Sequence, residues 1–171
     1  GSSTMPDALI HGSYLSDGRL ALGVATGQVV LRGTWEPAAA DPTKKLFATA
    51  WSTDGKTLLT VPDAPGNEMR VWDVSDVDNP KVRQVLDGVP DGVQIVGAGD
   101  LSPDGTLIVG GGLKGHVVGW RQQADGRWVR TFATSLGSTV IESLRFADDT
   151  HVFYVDDDNR ALLVDVSGPD A

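Results

Sequence analysis

Two interleaved ladders of self-similar segments constrain this chain more than any other feature. The first runs Ala50-Trp51-Ser52-Thr53-Asp54-Gly55-Lys56-Thr57-Leu58, then Asp100-Leu101-Ser102-Pro103-Asp104-Gly105-Thr106-Leu107-Ile108, then Arg145-Phe146-Ala147-Asp148-Asp149-Thr150-His151-Val152. Each copy is a short apolar run, a turn on Asp-Gly or Asp-Asp, and a second apolar run; these residues tolerate turn backbone conformations. The second ladder runs Met69-Arg70-Val71-Trp72-Asp73-Val74, Val117-Val118-Gly119-Trp120-Arg121 and Ala161-Leu162-Leu163-Val164-Asp165-Val166, with a degenerate copy at Leu20 to Gly27. Asp54 to Asp104 is 50 residues and Asp104 to Asp149 is 45; Leu22 to Trp72 is 50, Trp72 to Trp120 is 48 and Trp120 to Val164 is 44. Two ladders that advance together mean that one supersecondary unit recurs along the chain.

The unit is made of strands. Its apolar runs are five to eight residues long, alternate or are continuously apolar, and lie between Gly, Pro, Asp and Asn clusters. Strands are expected near 8–15, 20–25, 28–34, 45–51, 57–61, 69–74, 81–86, 93–101, 106–111, 116–121, 127–133, 139–146, 151–155 and 161–166. No window carries a helical period. The alanine-containing segment Glu36 to Thr43 is bounded by Pro37 and Pro42 and reads as a loop. Gly 21 and Pro 9 in 171 residues supply the many turns that such a chain needs.

A repeat of this length, with an Asp-Gly turn and a Trp-Asp pair, resembles the WD-repeat β-propeller family. The Ser52-Thr53-Asp54-Gly55 and Ser102-Pro103-Asp104-Gly105 turns match the family's Ser-Pro-Asp-Gly turn, and Val71-Trp72-Asp73-Val74 matches its Trp-Asp strand. Val24 to Gln28 is similar to the stretch that follows Trp-Asp. The Asp-Gly-rich style resembles bacterial, especially actinobacterial, WD-repeat regulators. The structural motif positions implied by the resemblance are Asp54, Gly55, Trp72, Asp73, Asp104, Gly105, Trp120, Asp149 and Asp165. The chain departs from the pattern in three ways. The Gly-His entry to the innermost strand is missing, since Gly115-His116 lies before a Trp-bearing strand. The buried Asp-His-Ser-Trp hydrogen-bond set that depends on it is therefore not expected. Trp-Asp is intact once, and becomes Trp120-Arg121 and Val164-Asp165 elsewhere.

The resemblance implies an all-β fold of four-stranded antiparallel blades, about half a propeller per chain, with residues 1–4 an expression scar and blades near 5–36, 44–88, 92–134 and 138–171. In the favoured register the first blade lacks its innermost strand and the last blade its outermost. A rival register makes Leu9 to Leu15 an innermost strand, because Leu15-Ser16-Asp17-Gly18 mimics Leu101 to Gly105. A row of about four blades leaves its two end faces uncovered. Those faces are expected to carry a subset of Ile10, Leu20, Leu22, Val152, Tyr154 and Leu163. Two chains closing into a ring of about eight blades would hide them, so a homodimer is expected.

Charge and composition narrow the function. A net charge of −9 argues against nucleic acid and anionic membrane as partners, both of which favour a basic face. No run of 18 apolar residues suggests a membrane helix. The lack of cysteine excludes disulfides, thiolate metal sites and cysteine nucleophiles, and fits a cytoplasmic protein.

No cofactor or metal site is expected. The Gly-x-Gly-x-x-Gly match at Gly110, Gly112 and Gly115 runs into Val117-Val118 as strand, whereas a dinucleotide site needs a helix there. Asp54-Gly55-Lys56-Thr57 resembles the end of a phosphate loop, but Ala50 stands where its first glycine belongs. The acidic groups Asp73, Asp76, Asp78 and Asp156, Asp157, Asp158 read as solvated loops, without the spacing of a calcium loop. His11, His116 and His151 lack ligand spacing. Trp35 and Trp128 are the aromatics expected to be exposed. The leading expectation is a non-catalytic scaffold that binds protein partners, in a bacterial regulatory protein. The alternative is a propeller enzyme or small-ligand binder, in which Asp100, Glu142 or His151 reaches a central channel.

Overall fold

The computed structural model describes residues 9–14, 20–24, 28–31, 37–40, 46–62, 68–76 and 79–168, with 9–49, 62 and 96 described by backbone alone. The fold is all-β. Among the described residues, fifteen strands form four antiparallel sheets, each made of strands consecutive in sequence. The first sheet is β1 (Leu9–Tyr14), β2 (Leu20–Val24), β3 (Gln28–Leu31) and β4 (Pro37–Ala40). The second is β5 (Leu46–Trp51), β6 (Thr57–Pro62), β7 (Arg70–Asp73) and β8 (Lys81–Val85). The third is β9 (Ile95–Leu101), β10 (Leu107–Gly112), β11 (His116–Gln122) and β12 (Trp128–Ser135), with a short 3-10 turn at Leu113–Gly115. The last has three strands, β13 (Ile141–Phe146), β14 (His151–Asp156) and β15 (Ala161–Asp165). No helix among the described residues is long and apolar enough to cross a membrane.

All fourteen expected strands are present, and β4 is an addition. It occupies Pro37–Ala40, inside the segment read as a loop, and carries the first sheet past 36. As the edge strand of that sheet it can begin on Pro37, whose missing N–H costs no ladder bond there. The favoured register is corrected by the same sheet. β1 pairs with β2, so the first sheet has its first strand, as the rival register required. Leu22 therefore lies in a second strand, whereas Trp72, Trp120 and Val164 lie in third strands. The early copy of the second ladder is a coincidence of composition.

The sheets stack face to face in chain order, and their first strands lie side by side, β1 on β5, β5 on β9 and β9 on β13. This arrangement is compatible with consecutive propeller blades. The core sits between sheets. Leu59, Val61, Met69 and Val71 of the second sheet meet Ile108, Val118, Trp120 and Trp128 of the third. Leu107, Val109, Val117 and Phe132 on the third sheet's other face meet Ile141, Leu144, Val152 and Tyr154 of the last. Trp72 packs with Leu58, Val74 and Trp51 in a separate cluster, its indole N–H donating to the Thr60 hydroxyl at 3.0 Å. Trp128 is a correction: it is buried in the joint between the second and third sheets. Trp35 lies outside the described residues.

Glycine makes the close stacking possible. A Cβ on Gly119 would overlap the ring of Phe132, and one on Gly110 would lie 2.6 Å from the sulfur of Met69. The glycine run Gly110-Gly111-Gly112 is thus a packing device inside β10, followed by a 3-10 turn and another strand.

Candidate functional site

Along one side of the stack, the turns that join first to second strands in the last three sheets are tied into a rim. In the second sheet the Ser52 hydroxyl donates to Asp54 Oδ1 at 2.6 Å, and that carboxylate accepts the Lys56 N–H. The third sheet repeats this, with Ser102 donating to Asp104 at 2.6 Å and Asp104 accepting the Thr106 N–H. Gly55 and Gly105 hold the positive φ that the turn demands. In the last sheet the turn is one residue shorter. Asp148, rather than Asp149, closes it, accepting from the N–H groups of both Thr150 and His151 at 2.8 Å. One carboxylate thereby does the work of Ser102 and Asp104 together. This absorbs the one-residue difference between a 45-residue step in one ladder and a 44-residue step in the other.

Asp149 instead ties one sheet to the next, its Oδ1 accepting the Asp104 N–H at 2.9 Å. The Thr53 hydroxyl makes the preceding tie, to the Pro103 carbonyl at 2.8 Å. The ends of the third strands carry a second set of carboxylates. Asp73 accepts the Ser75 N–H and Asp165 the Ser167 N–H, both held below the usual carboxylate range first by the serine hydrogen bonds. Trp120 Nε1 donates to the Asp87 carbonyl at 2.7 Å, and Gln84 binds the Trp128 backbone through both ends of its amide.

Between the turns of the second and third sheets lies a cleft of about 510 Å³, lined by Thr53, Asp54, Asp104, Gly105, Gln122 and Arg83 among others. Arg83 makes no ion pair within 4 Å among the described residues; it acts on Asp73 at longer range. The Asp54-Gly55-Lys56-Thr57 stretch forms one wall as a strand-to-strand turn, with no helix behind it.

The three residues considered for catalysis are engaged separately. Asp100 Oδ2 accepts the Phe146 N–H at 2.8 Å, bracing β9 against β13, and burial raises its carboxyl above the usual range. Glu142 lies exposed at the opposite end of β13. His151 Nδ1 sits 3.0 Å from Asp148. No hydrogen bond or ion pair joins any two of Asp100, Glu142 and His151. No group of three His, Cys, Asp or Glu side chains is placed to hold a metal among the described residues. Asp156 departs from the solvated-loop reading. It is buried and forms a 2.6 Å ion pair with Arg160, while Asp157 and Asp158 are exposed. Asp78 and His11 lie outside the residues whose side chains are described.

The outer face of the last sheet is open among the described residues. By register, Phe153 in the last sheet corresponds to Val109 and Leu59 in the two before it. Val109 and Leu59 are both 0% exposed, and Phe153 is 45% exposed. Leu163, opposite Phe153 on β15, is 59% exposed. Of the side chains expected on an uncovered face, Leu163 is there, whereas Val152 and Tyr154 point the other way and are buried against the third sheet. The side chains of Ile10, Leu20 and Leu22 are outside the described set. Sequence reading missed Phe153, because only the strand's phase decides which of its alternate apolar residues faces out.

No known family model matches the chain, and no curated protein matches it.

Proposed function

We propose that this chain is a non-catalytic WD-repeat-type interaction module of a bacterial cytoplasmic regulator, in which two copies close into one propeller of about eight blades. The observation that supports this reading best is the exposure of Phe153 and Leu163 at positions where the second and third sheets are covered by their neighbours. A second copy offers a sheet of the same kind, in the same stacking mode, and a two-fold axis makes two equivalent seams. The loop ends and turns of such a ring would remain free to bind a protein partner, and a net charge of −9 would steer a basic one.

The test is light scattering at micromolar concentration. A dimer is expected, and Phe153→Asp or Leu163→Asp should return it to the monomer. An 18.0 kDa monomer that binds no hydrophobic dye would remove the ring. The enzyme reading would regain ground if Asp100→Asn abolished turnover of some substrate while leaving the melting curve unchanged.

A further inference from the structure

Packing of a sheet onto the open face leaves another exposed apolar residue of the last sheet unexplained. Leu162 is 48% exposed, yet it points the opposite way from Leu163, toward the third sheet. Its counterpart Val118 on β11 is 0% exposed. Two consecutive apolar residues exposed on opposite faces of one strand cannot be covered by a single partner lying on one face. They can be covered by a strand lying along the edge. In the second and third sheets that place is taken by β8 on β7 and by β12 on β11. In the last sheet, among the described residues, β15 pairs with β14 alone, and no strand lies along its outer edge.

We infer that the open edge of β15 (Ala161–Asp165) is a strand-acceptor site for an extended segment of a protein partner, apolar at alternate positions and with a Lys or Arg opposite Asp165. Main-chain pairing supplies the binding and the side chains supply the selection. The basic residue follows from the second sheet. Asp165 sits in the last sheet where Asp73 sits in the second, each one residue past the Trp or Val of the third strand and each accepting from a serine N–H two residues on. There the cross-strand neighbour of Asp73 is Lys81 on β8. At β15 the carboxylate is in place and faces His151 of β14 on its inner side, while among the described residues no cation faces it on the outer side. Opposite charges facing each other across strands favour pairing and like charges oppose it. The inference rests on the reading of the chain as an interaction module, but not on ring closure.

The probe is a labelled synthetic peptide copying residues 79–86 of this chain, which contains Lys81. Saturable binding by fluorescence anisotropy is expected, with hydrogen exchange slowed at the amides of 161–165. A peptide with Lys81→Glu should bind about threefold to tenfold more weakly. The Asp165→Lys chain should reverse that order and prefer the Glu peptide. If that variant fails to fold, the two peptides on the unaltered chain still decide. No saturable binding, equal binding of both peptides, or protection that maps to Phe153 instead of β15 would overturn the inference. So would β15 amides as protected as those of β11 in the chain alone, since the edge would then already be filled by the chain itself or a second copy. Light scattering separates the two proposals. A monomer that binds the peptide keeps this inference and removes the ring; a dimer that binds neither peptide does the reverse.

Discussion

The third sheet and the last are built from the same repeat, yet only the third is covered on both faces. On β10 and β11 the apolar residues of both strand phases are buried, Ile108, Val118 and Trp120 toward the second sheet, Leu107, Val109 and Val117 toward the last. On β14 one phase is buried and the other is not, and on β15 neither is fully buried. The local sequence is equally apolar in both cases. Coverage is therefore a property of neighbours, as in any repeat architecture where each unit contacts only the next. Substitutions of similar chemistry should cost very different amounts in the two sheets.

The widest contrast should come from Trp120→Ala against Leu163→Ala. Trp120 is wholly buried in a joint and donates to the Asp87 carbonyl, so its loss should cost about 3–5 kcal/mol in urea unfolding. Leu163→Ala, measured at concentrations too low for self-association, should cost less than about 0.5 kcal/mol. Trp72→Ala belongs with Trp120, because it too is a buried aromatic with a bonded indole. A Trp120 loss under about 1 kcal/mol would mean that the joint is looser than its packing implies.

Gly119→Ala tests the spacing within the same joint. The added methyl collides with Phe132, and overpacking of that kind costs about 1–3 kcal/mol. Pairing it with Phe132→Leu should recover part of the loss; strict additivity of the two would show that they do not touch. Smaller again is Gln84→Ala, which removes both amide bonds to the Trp128 backbone and should cost about 1–2 kcal/mol by chemical denaturation.

The smallest effects are in pH dependence, where two carboxylates should move in opposite senses. Asp148 is held down to about 2 by the Thr150 N–H and then by His151. Its folded value is below the ordinary 3.8, so what it contributes is complete above about pH 4 and is lost as the pH falls toward 2. Asp100 is raised, by burial that outweighs the Phe146 N–H and Arg145. Ionising it opposes folding, an opposition that sets in above 3.8 and is complete once the pH passes the folded value. Urea midpoints between pH 2.5 and pH 7 should therefore show Asp148→Asn losing ground to the parent at the higher pH and Asp100→Asn gaining it. Parallel curves for the two variants would contradict both assignments.

The strands were legible because each is an apolar run closed by turn chemistry that needs no tertiary information. β4 was not, since prolines and alanines mark a loop unless the segment is known to lie at an edge. The register of the first sheet was misread because Leu20 to Gly27 resembles a third strand in composition, and only pairing shows it to be a second. Asp148 was passed over for Asp149 because the eye aligns Asp-Gly with Asp-Asp, whereas the backbone counts hydrogen bonds. Gln84 carried no signal: its partner lies 44 residues away, and glutamine on an outer strand reads as surface.

Met69 lies where Gly99 and Gly110 leave room for it, fully buried, with its sulfur filling the space that a Cβ on Gly110 would need. A polar sulfoxide oxygen there would have to be buried in an apolar, closely packed joint, so oxidation is disfavoured while the joint is closed. Peroxide can reach the thioether only during moments when the second and third sheets part. The rate at which Met69 is oxidised is thus a clock for the opening of the joint between the second and third sheets.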